Sequence, residues 1–291
     1  MHISTASNPE EHWDLEIKPG GKLFDLHLKD VWHYRDLLVL LVRRDFVSIY
    51  KQTILGPLWF FIQPIFTTAM YVFIFTNLAG ISTEGIPPPL FYMAGITAWN
   101  YFADCLNKTS STFRDNAHIF GKVYFPRLIM PLSVVISNLV RFGVQLLLFI
   151  AMIIYYMITG VHFGLNWHIL LFPVIVALMG CMGLGFGMII SALTTKYRDL
   201  AFLVTFGVQL LMYSTTVTYP LSTALEKFPK YAWLIKYNPM TPVIETFRHG
   251  FLGSGSFSWQ SLAFCACVTA SVAIIGVIIF NRVEKKFVDT V

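Results

Sequence analysis

The sequence predicts an all-α integral membrane protein with six transmembrane helices, an amphipathic interface helix ahead of them and a re-entrant helical hairpin before the last span. Hydrophobic residues make up 56% of the chain and charged residues only 13%, and the mean hydropathy is +0.63. Such values lie outside the usual range of soluble globular domains. The net charge of +5 fits Lys and Arg on cytoplasmic segments of a membrane protein, and we expect no nucleic-acid partner.

Six mostly apolar runs each approach or exceed the roughly 20 residues that a spanning helix needs. They predict one bundle in which residues 1–57 form a cytoplasmic N-terminal segment and residues 58–291 form the six-helix transmembrane domain. The predicted spans are about 58–79, 87–106, 132–159, 168–194, 200–220 and 261–280.

The distribution of positive charge predicts the orientation of the bundle. Lys and Arg precede the first span and follow the second, fourth and sixth spans, whereas the loops at 80–86 and 160–167 contain neither. Because positive residues collect on cytoplasmic segments, both termini should be cytoplasmic. The residues concerned are Arg43, Arg44, Lys51, Lys108, Arg114, Lys122, Arg127, Lys196, Arg198, Arg282, Lys285 and Lys286.

An amphipathic helix is predicted ahead of the first span, with apolar and polar residues on opposite faces. Its apolar face can rest in the headgroup region while the arginines attract anionic lipid, so we expect it to lie flat on the membrane surface. The alternative is a helix packed on a soluble domain, but few residues precede it. The apolar face is Val31, Leu38, Val42, Phe46 and Ile49, and the polar face is His33, Asp36, Arg43, Arg44, Ser48 and Lys51.

Polar and aromatic residues form a stripe along the first and fifth predicted spans at helical spacing. Aromatic rings stack on the CH faces of sugars, and amides and hydroxyls pair with sugar hydroxyls, so the stripes suit a carbohydrate path. Polar residues also hold membrane helices together, which is the alternative interpretation of each position. The stripes are Trp59, Gln63, Thr67, Met70 and Tyr71, and Phe202, Phe206, Gln209, Tyr213 and Thr216.

Two charged features lie near the predicted cytoplasmic side. The segment from Lys108 to Arg127 mixes charges with aromatic residues, which suits docking of a partner protein as well as an ordinary solvated connector. Arg141 is the one clear charge inside a span, where an Arg costs roughly 2.5–3.5 kcal/mol at the bilayer centre. Pairing with Asp104 is favoured over contact with a phosphate or snorkelling.

The segment 221–260 is predicted to hold a short helix that is too short to span the membrane. It reads as a re-entrant or interfacial element on the outer side, able to narrow a channel exit. Its signals are Trp233 and Tyr237 at its flank, Asn238 as a cap, Pro239 in the first turn, an apolar face of Val243, Ile244, Phe247 and Phe251, and an end near Gly250 or Gly253.

The chain lacks the motifs of an enzyme. The mid-span glycines Gly180, Gly183, Gly185 and Gly187 are not followed by the Lys-Ser/Thr of a phosphate loop, so close helix packing explains them. Any ATP must therefore be hydrolysed by another chain, and we expect no catalytic residue, metal or cofactor in this one. A secondary transporter would need intramembrane carboxylates, which are nearly absent. A membrane glycosyltransferase would need a catalytic acid or base, and the outer-side candidates Glu226, Glu245 and His249 are interpreted as structural.

Four stretches along the chain are specific when taken together. They are WHYRDLLVLLVRRDFVSIYKQTILGPLWFFIQP at 32–64, FPRLIMPL at 125–132, YNPMTPVIETFRHG at 237–250 and FNRVEKKFVDTV at 280–291. Their order resembles the permease subunit of polysaccharide-exporting ABC transporters, especially the O-antigen export permeases and their capsule and teichoic acid relatives. A drug- or lipid-exporting permease of the same superfamily shares the architecture and is the alternative.

The resemblance implies two copies of this chain joined to two ATP-binding cassette subunits, which hold ATP and Mg. Together they would move a glycan on undecaprenyl pyrophosphate across the bacterial inner membrane. The implied roles are a substrate channel at Trp59, Gln63, Thr67, Tyr71, Phe202, Phe206, Gln209 and Tyr213; admission of the pyrophosphate by Arg43, Arg44 and Lys51; coupling to the ATPase through Arg114, His118, Lys122 and Tyr124; and an exit gate at Trp233, Tyr237 and Phe247.

Overall fold

The computed structural model describes residues 32–51, 56–116, 125–164, 166–197, 199–227 and 229–288, and all regular structure in these ranges is helical, which confirms the all-α class. Short 3-10 turns lie at Gly56–Leu58 and Trp167–Leu171. The helices are α1 (Arg35–Tyr50), α2 (Trp59–Tyr71), which continues as a π-helix over Val72–Leu78, α3 (Pro88–Ser110), α4 (Thr112–Asp115), α5 (Ile129–Ile158), α6 (Phe172–Lys196), α7 (Leu200–Tyr213), α8 (Leu221–Lys227), α9 (Ala232–Lys236), α10 (Met240–Leu252) and α11 (Trp259–Val288).

Four helical segments within the described ranges are long and apolar enough to cross a membrane. They correspond to the first, third, fourth and sixth predicted spans. At 1.5 Å per residue, the shortest of them, with 20 residues, extends about 30 Å, the thickness of a bilayer core. The segments are Trp59–Leu78, Ile129–Ile158, Trp167–Thr194 and Trp259–Val283.

Helix α3 covers the second predicted span but is less apolar than those four segments. Its position explains the difference, because α3 is the centre of the bundle and packs against α2, α5, α6, α7 and α10. Every residue from Leu90 to Trp99 is buried. A helix that is surrounded by protein need not present an apolar face to lipid, so Asn100, Asp104 and Asn107 are accommodated.

The helix of the fifth predicted span ends earlier than predicted. Helix α7 has 14 residues and ends at Tyr213, and residues 214–219 form turns before Pro220. We call residues 214–219 the α7 turn. The carbonyls of Thr216 and Val217 accept hydrogen bonds from Arg248 instead of continuing a helix. Buried backbone groups need such partners, and a distant side chain provides them here.

Close packing of the mid-span glycines is confirmed. Helix α6 packs against α3 on one side and α11 on the other. A Cβ added at Gly183 would lie 2.7 Å from the Cβ of Cys105 in α3, and one added at Gly185 would lie 2.9 Å from the backbone nitrogen of Ala273 in α11. Small residues let membrane helices approach closely, and α6 uses them on two faces.

Helix α1 buries a face that overlaps only partly with the predicted one. Leu41 is 4% exposed and packs in a cluster with Tyr34, Leu37 and Leu38 at the side of α5, whereas Val39 and its neighbour Leu40 are exposed. The contacting positions follow the 3.6-residue period about Leu41. Of the predicted apolar face, Leu38 and Val42 are half-buried, Phe46 is exposed, and Val31 and the side chain of Ile49 lie outside the described residues. The buried face of α1 is therefore set by its contact with α5, which the pattern of apolar residues in α1 does not show.

The short helix predicted before the last span is confirmed as α10. The side chain of Asn238 accepts a hydrogen bond from the backbone N–H of Met240, at 3.0 Å. The helix ends at Gly253, whose φ of +72° is the left-handed conformation that favours glycine. Val243, Ile244, Phe247 and Phe251, the predicted apolar face, are all buried.

Candidate transport path and charged cavity

The positively charged segments that the sequence assigned to one side of the membrane meet at one end of the bundle. Arg44 of α1, Lys108 of α3 and Arg141 of α5 line a single cavity of about 450 Å³. Nearby, the ring of Phe113 in α4 stacks on Phe280 of α11, with centroids 4.4 Å apart. We call this the charged end of the bundle, and the opposite end, which carries α8 to α10, the hairpin end.

The cations of the charged cavity have different partners. Arg141 Nη1 donates to Asp104 Oδ2 at 2.8 Å, which confirms the predicted pair. Arg44 Nη2 donates to Asp45 Oδ1 at 2.9 Å. The Lys108 ammonium donates to the neutral amide oxygen of Asn138 at 2.7 Å, and no carboxylate of the described residues lies within ion-pair distance of it. An ammonium has three donors, so Lys108 is the cation of this cavity best placed to receive an added anion.

The other residues predicted to admit a pyrophosphate lie away from the cavity. Arg43 and Lys51 are exposed on α1 and at its C-terminal end, and neither is among the described residues of the cavity wall. Of the three predicted residues, the structure therefore brings only Arg44 together with Lys108 and Arg141.

Part of the predicted docking segment is described. Arg114 lies in the short helix α4, is exposed, and donates to Asp115 Oδ1 at 3.1 Å. His118, Lys122 and Tyr124 lie outside the described residues. The exposed arginine sits beside the buried ring of Phe113, which ties α4 to α11.

The polar-aromatic stripes of α2 and α7 are largely exposed in the single chain. On α2, Trp59 and Gln63 are exposed, Thr67 is half-buried, and the half-buried Tyr71 donates to Met212 Sδ of α7 at 3.5 Å. The stripe residues that lie within helix α7 are all exposed, and Phe202 leaves 83% of its surface uncovered. The residues of that stripe are Phe202, Phe206, Gln209 and Tyr213. The Tyr71 contact brings helices α2 and α7 together at one end.

Two features of these stripes were not visible in the sequence. The backbone of α2 changes to a π-helix directly after Tyr71, over Val72–Leu78, and π-helical turns are frequently found at functional sites. Thr216, which the helical spacing placed on the α7 stripe, is buried in the α7 turn instead.

The three residues predicted for an exit gate are in two environments. Trp233 and Tyr237 are exposed at the hairpin end. Phe247 is buried in α10 and packs against Phe149 and Phe251, with ring centroids 5.5 and 4.8 Å away. A gate formed by Phe247 would therefore require α10 to move.

Sequence reasoning missed the role of Lys108, which it counted as an orientation charge and as the start of the docking segment, and the role of Arg248, to which it gave none. The available signals were spacings within helices. Asp104 and Lys108 are four residues apart on α3, and Glu245 and Arg248 are three apart in an apolar helix, so each pair shares a helix face.

Comparison with known proteins gives the family. Residues 36–252 match the family described as ABC-2 type transporter. The O-antigen export system permease protein RfbA of Myxococcus xanthus is 28% identical over 267 residues, which cover 91% of this chain and 98% of that protein. A Klebsiella pneumoniae protein of the same name is 29% identical over 255 residues, which cover 87% of this chain and 94% of that protein. The chain therefore belongs to the ABC-2 type transporter family and is a multi-pass membrane component of a transporter.

Proposed function

We propose that this chain is the channel-forming permease subunit of an ATP-driven exporter that moves undecaprenyl-pyrophosphate-linked polysaccharide, an O-antigen, across the bacterial inner membrane. The observation that carries the proposal is similarity over nearly the whole length of relatives named O-antigen export permeases. Charged residues gathered at one end and exposed aromatic stripes along two helices suit this cargo.

The proposed topology has six spans, both termini in the cytoplasm and a re-entrant hairpin at 222–252. Helix α3 is the second span, and α7 together with the α7 turn is the fifth. Residues 1–57 form the cytoplasmic N-terminal segment and 58–291 the permease domain. Convergence of Arg44, Lys108 and Arg141 at the charged end supports the assignment of that end to the cytoplasm.

The proposed assembly contains two copies of this chain and two ATP-binding cassette subunits that hold ATP and Mg. Phe206 and Tyr213 are 61% and 47% exposed in one copy, and a second copy facing them would enclose a path lined by both stripes. In this assembly Arg114 at the charged end, together with His118, Lys122 and Tyr124, would couple the permease to the ATP-binding subunit.

The proposed path begins at the charged cavity, where the pyrophosphate meets Arg44 and Lys108. Arg43 and Lys51 lie on the exposed face of α1 and would attract the anionic headgroup from the membrane surface. The path continues between the stripes and leaves at the hairpin end, where Trp233, Tyr237 and Phe247 form the gate.

The test is transport by this chain purified together with an ATP-binding subunit encoded beside its gene. In proteoliposomes, we expect ATP to carry undecaprenyl-pyrophosphate-linked glycan to the compartment where an added lectin binds it. A partner subunit whose phosphate-loop lysine is replaced is the control and should give no transport. ATP hydrolysis by this chain alone, or transport driven by an ion gradient without ATP, would contradict the proposal.

The channel assignment predicts what the stripe residues contact during transport. A photo-reactive amino acid at Phe206 or at Tyr213 should crosslink to the glycan when the complex turns over ATP, because aromatic faces stack on sugar rings. The same amino acid at Ile154, which is also exposed but lies on α5, should crosslink to lipid. Analysis of the adducts by mass spectrometry distinguishes the two, and lipid adducts alone at Phe206 and Tyr213 would refute the channel.

A further inference from the structure

Arg248 is a fully buried cation at the hairpin end. Its side chain is 1% exposed, and its guanidinium carbon lies 3.6 Å from the centroid of the Phe91 ring. Buried arginines are rare unless they are paired. The groups around Arg248 therefore indicate what the residue does.

The guanidinium holds backbone carbonyls from two separate elements. Nη1 donates to the Thr216 carbonyl at 2.5 Å, and Nη2 donates to the carbonyls of Val217 at 2.9 Å and Phe91 at 3.2 Å. Thr216 and Val217 belong to the α7 turn, and Phe91 lies in the first turn of α3. A fork of fixed donors can join these groups, whereas the single ammonium of a lysine is a point charge.

Helix α3 leaves room for this contact at a glycine. A Cβ added at Gly95 would lie 2.8 Å from Arg248 Nη2 and 3.0 Å from the Val217 carbonyl oxygen. The glycine therefore allows the α7 turn and the guanidinium to lie directly on α3. Substitution there would crowd the contact without removing the arginine.

Helix α10, which carries Arg248, makes polar contacts with two further segments. Glu245 Oε1 lies 3.6 Å from Arg248 Nη1, and its other oxygen accepts a hydrogen bond from the Ser256 backbone N–H at 2.9 Å, in the chain that leads into α11. At the start of α10, the side-chain amide of Asn238 donates to the Ser214 carbonyl at 3.2 Å. Helix α10 is thus joined by polar contacts to α3, to the α7 turn and to the segment that precedes α11.

We infer that Arg248 is a positioning residue that fixes the hairpin end of α7 to α10 and α3, so that the α7 stripe moves together with the hairpin. The α7 turn is not helical, and the carbonyls of Thr216 and Val217 in it accept their hydrogen bonds from the Arg248 side chain. The functional part of this inference depends on the proposed function, because it takes the α7 stripe as a wall of the transport path. The structural part does not.

The experiment is hydrogen exchange by mass spectrometry on the complete complex with its ATP-binding subunit. For Arg248→Gln, we expect amides of residues 214–219 to exchange at least tenfold faster while those of α6 and α11 keep their rates. The complex should still hydrolyse ATP but export glycan at least tenfold more slowly. Arg141→Gln, which removes an arginine of α5 at the charged end, should leave exchange at 214–219 unchanged.

Two further variants separate positioning from general stability. Arg248→Lys keeps the charge without the fork and should accelerate exchange at 214–219 as well. Gly95→Ala keeps the arginine, crowds its contact and should have the same local effect even if Arg248→Gln fails to fold. Unchanged exchange at 214–219 in Arg248→Gln, Arg248→Lys and Gly95→Ala would overturn the inference. An equal rise of the exchange rate in every helix would overturn it as well. If exchange changes as expected but the unaltered complex moves no glycan, the proposed function fails and the positioning role stands.

Discussion

Replacing Gly183 by valine is expected to separate α3 from α6 and to destabilise the protein by about 3 kcal/mol, the upper part of the range for overpacked cores. The Cβ of any new side chain would lie 2.7 Å from the Cβ of Cys105 and 2.9 Å from the Phe102 carbonyl oxygen. The carbonyl belongs to the backbone of the central helix and cannot rotate away. Because 1.4 kcal/mol is tenfold in an equilibrium constant, the ratio of folded to unfolded protein should fall about a hundredfold.

The measurement is thermal unfolding of the detergent-purified chain, together with the yield of monodisperse protein. Gly143→Val is the matched control, because Gly143 also lies within a spanning helix but a Cβ there would meet no atom within 4 Å. We expect the control to unfold near the temperature of the unaltered protein. Equal destabilisation by both substitutions would mean that a general effect of valine in these helices, and not the α3–α6 contact, determines the result, since valine is itself a better helix former than glycine.

Replacing Lys108 by glutamine is expected to lower export of lipid-linked glycan tenfold or more while ATP hydrolysis by the complex continues. Its ammonium is the cation in the charged cavity that has only a neutral amide as partner among the described residues. A hydrogen bond to a charged group contributes about 1.5–3 kcal/mol, which corresponds to at least a tenfold loss if the contact forms with the pyrophosphate. The prediction depends on the proposed function.

Lys108→Arg is the control for this prediction. It keeps a permanent positive charge and several donors, so we expect it to retain most of the export rate. The unfolding temperature of both variants should be close to that of the unaltered chain, since the partner Asn138 remains and the cavity is open to added groups. A full export rate in Lys108→Gln would show that Lys108 does not bind the pyrophosphate during transport.

The helices themselves were largely predictable from hydropathy. Four of the six predicted spans appear with ends within a few residues of the prediction, because lipid-facing helices must be apolar over a fixed length. The cap at Asn238 and the end at Gly253 were also found, since capping depends on residues adjacent in the chain. The pairing of Arg141 with Asp104 followed from the cost of an unpaired charge among apolar residues.

The predictions failed where the end, the buried face or the backbone type of one helix depends on its contacts with another element. Helix α7 ends seven residues before the predicted limit of its span. Beyond its end, the carbonyls of Thr216 and Val217 accept hydrogen bonds from Arg248, which lies in a later helix, instead of from backbone N–H groups of a continued α7. The buried face of α1 is set by its contact with α5, and the π-helix after Tyr71 has no signal in the spacing of apolar residues. Each depends on contacts between residues far apart in the chain.

Hydropathy, residue period and recurring motifs were enough to predict a helical membrane protein, its resemblance to polysaccharide export permeases and the close packing of its mid-span glycines, because these signals come from residues that are neighbours in the chain. The folded arrangement was needed to find that α3 is the buried centre, that Lys108 lies in a cavity with Arg44 and Arg141, and that Arg248 holds the end of α7. Burial and hydrogen-bond partners in the interior depend on which helices meet, and hydropathy along a chain carries no information about that.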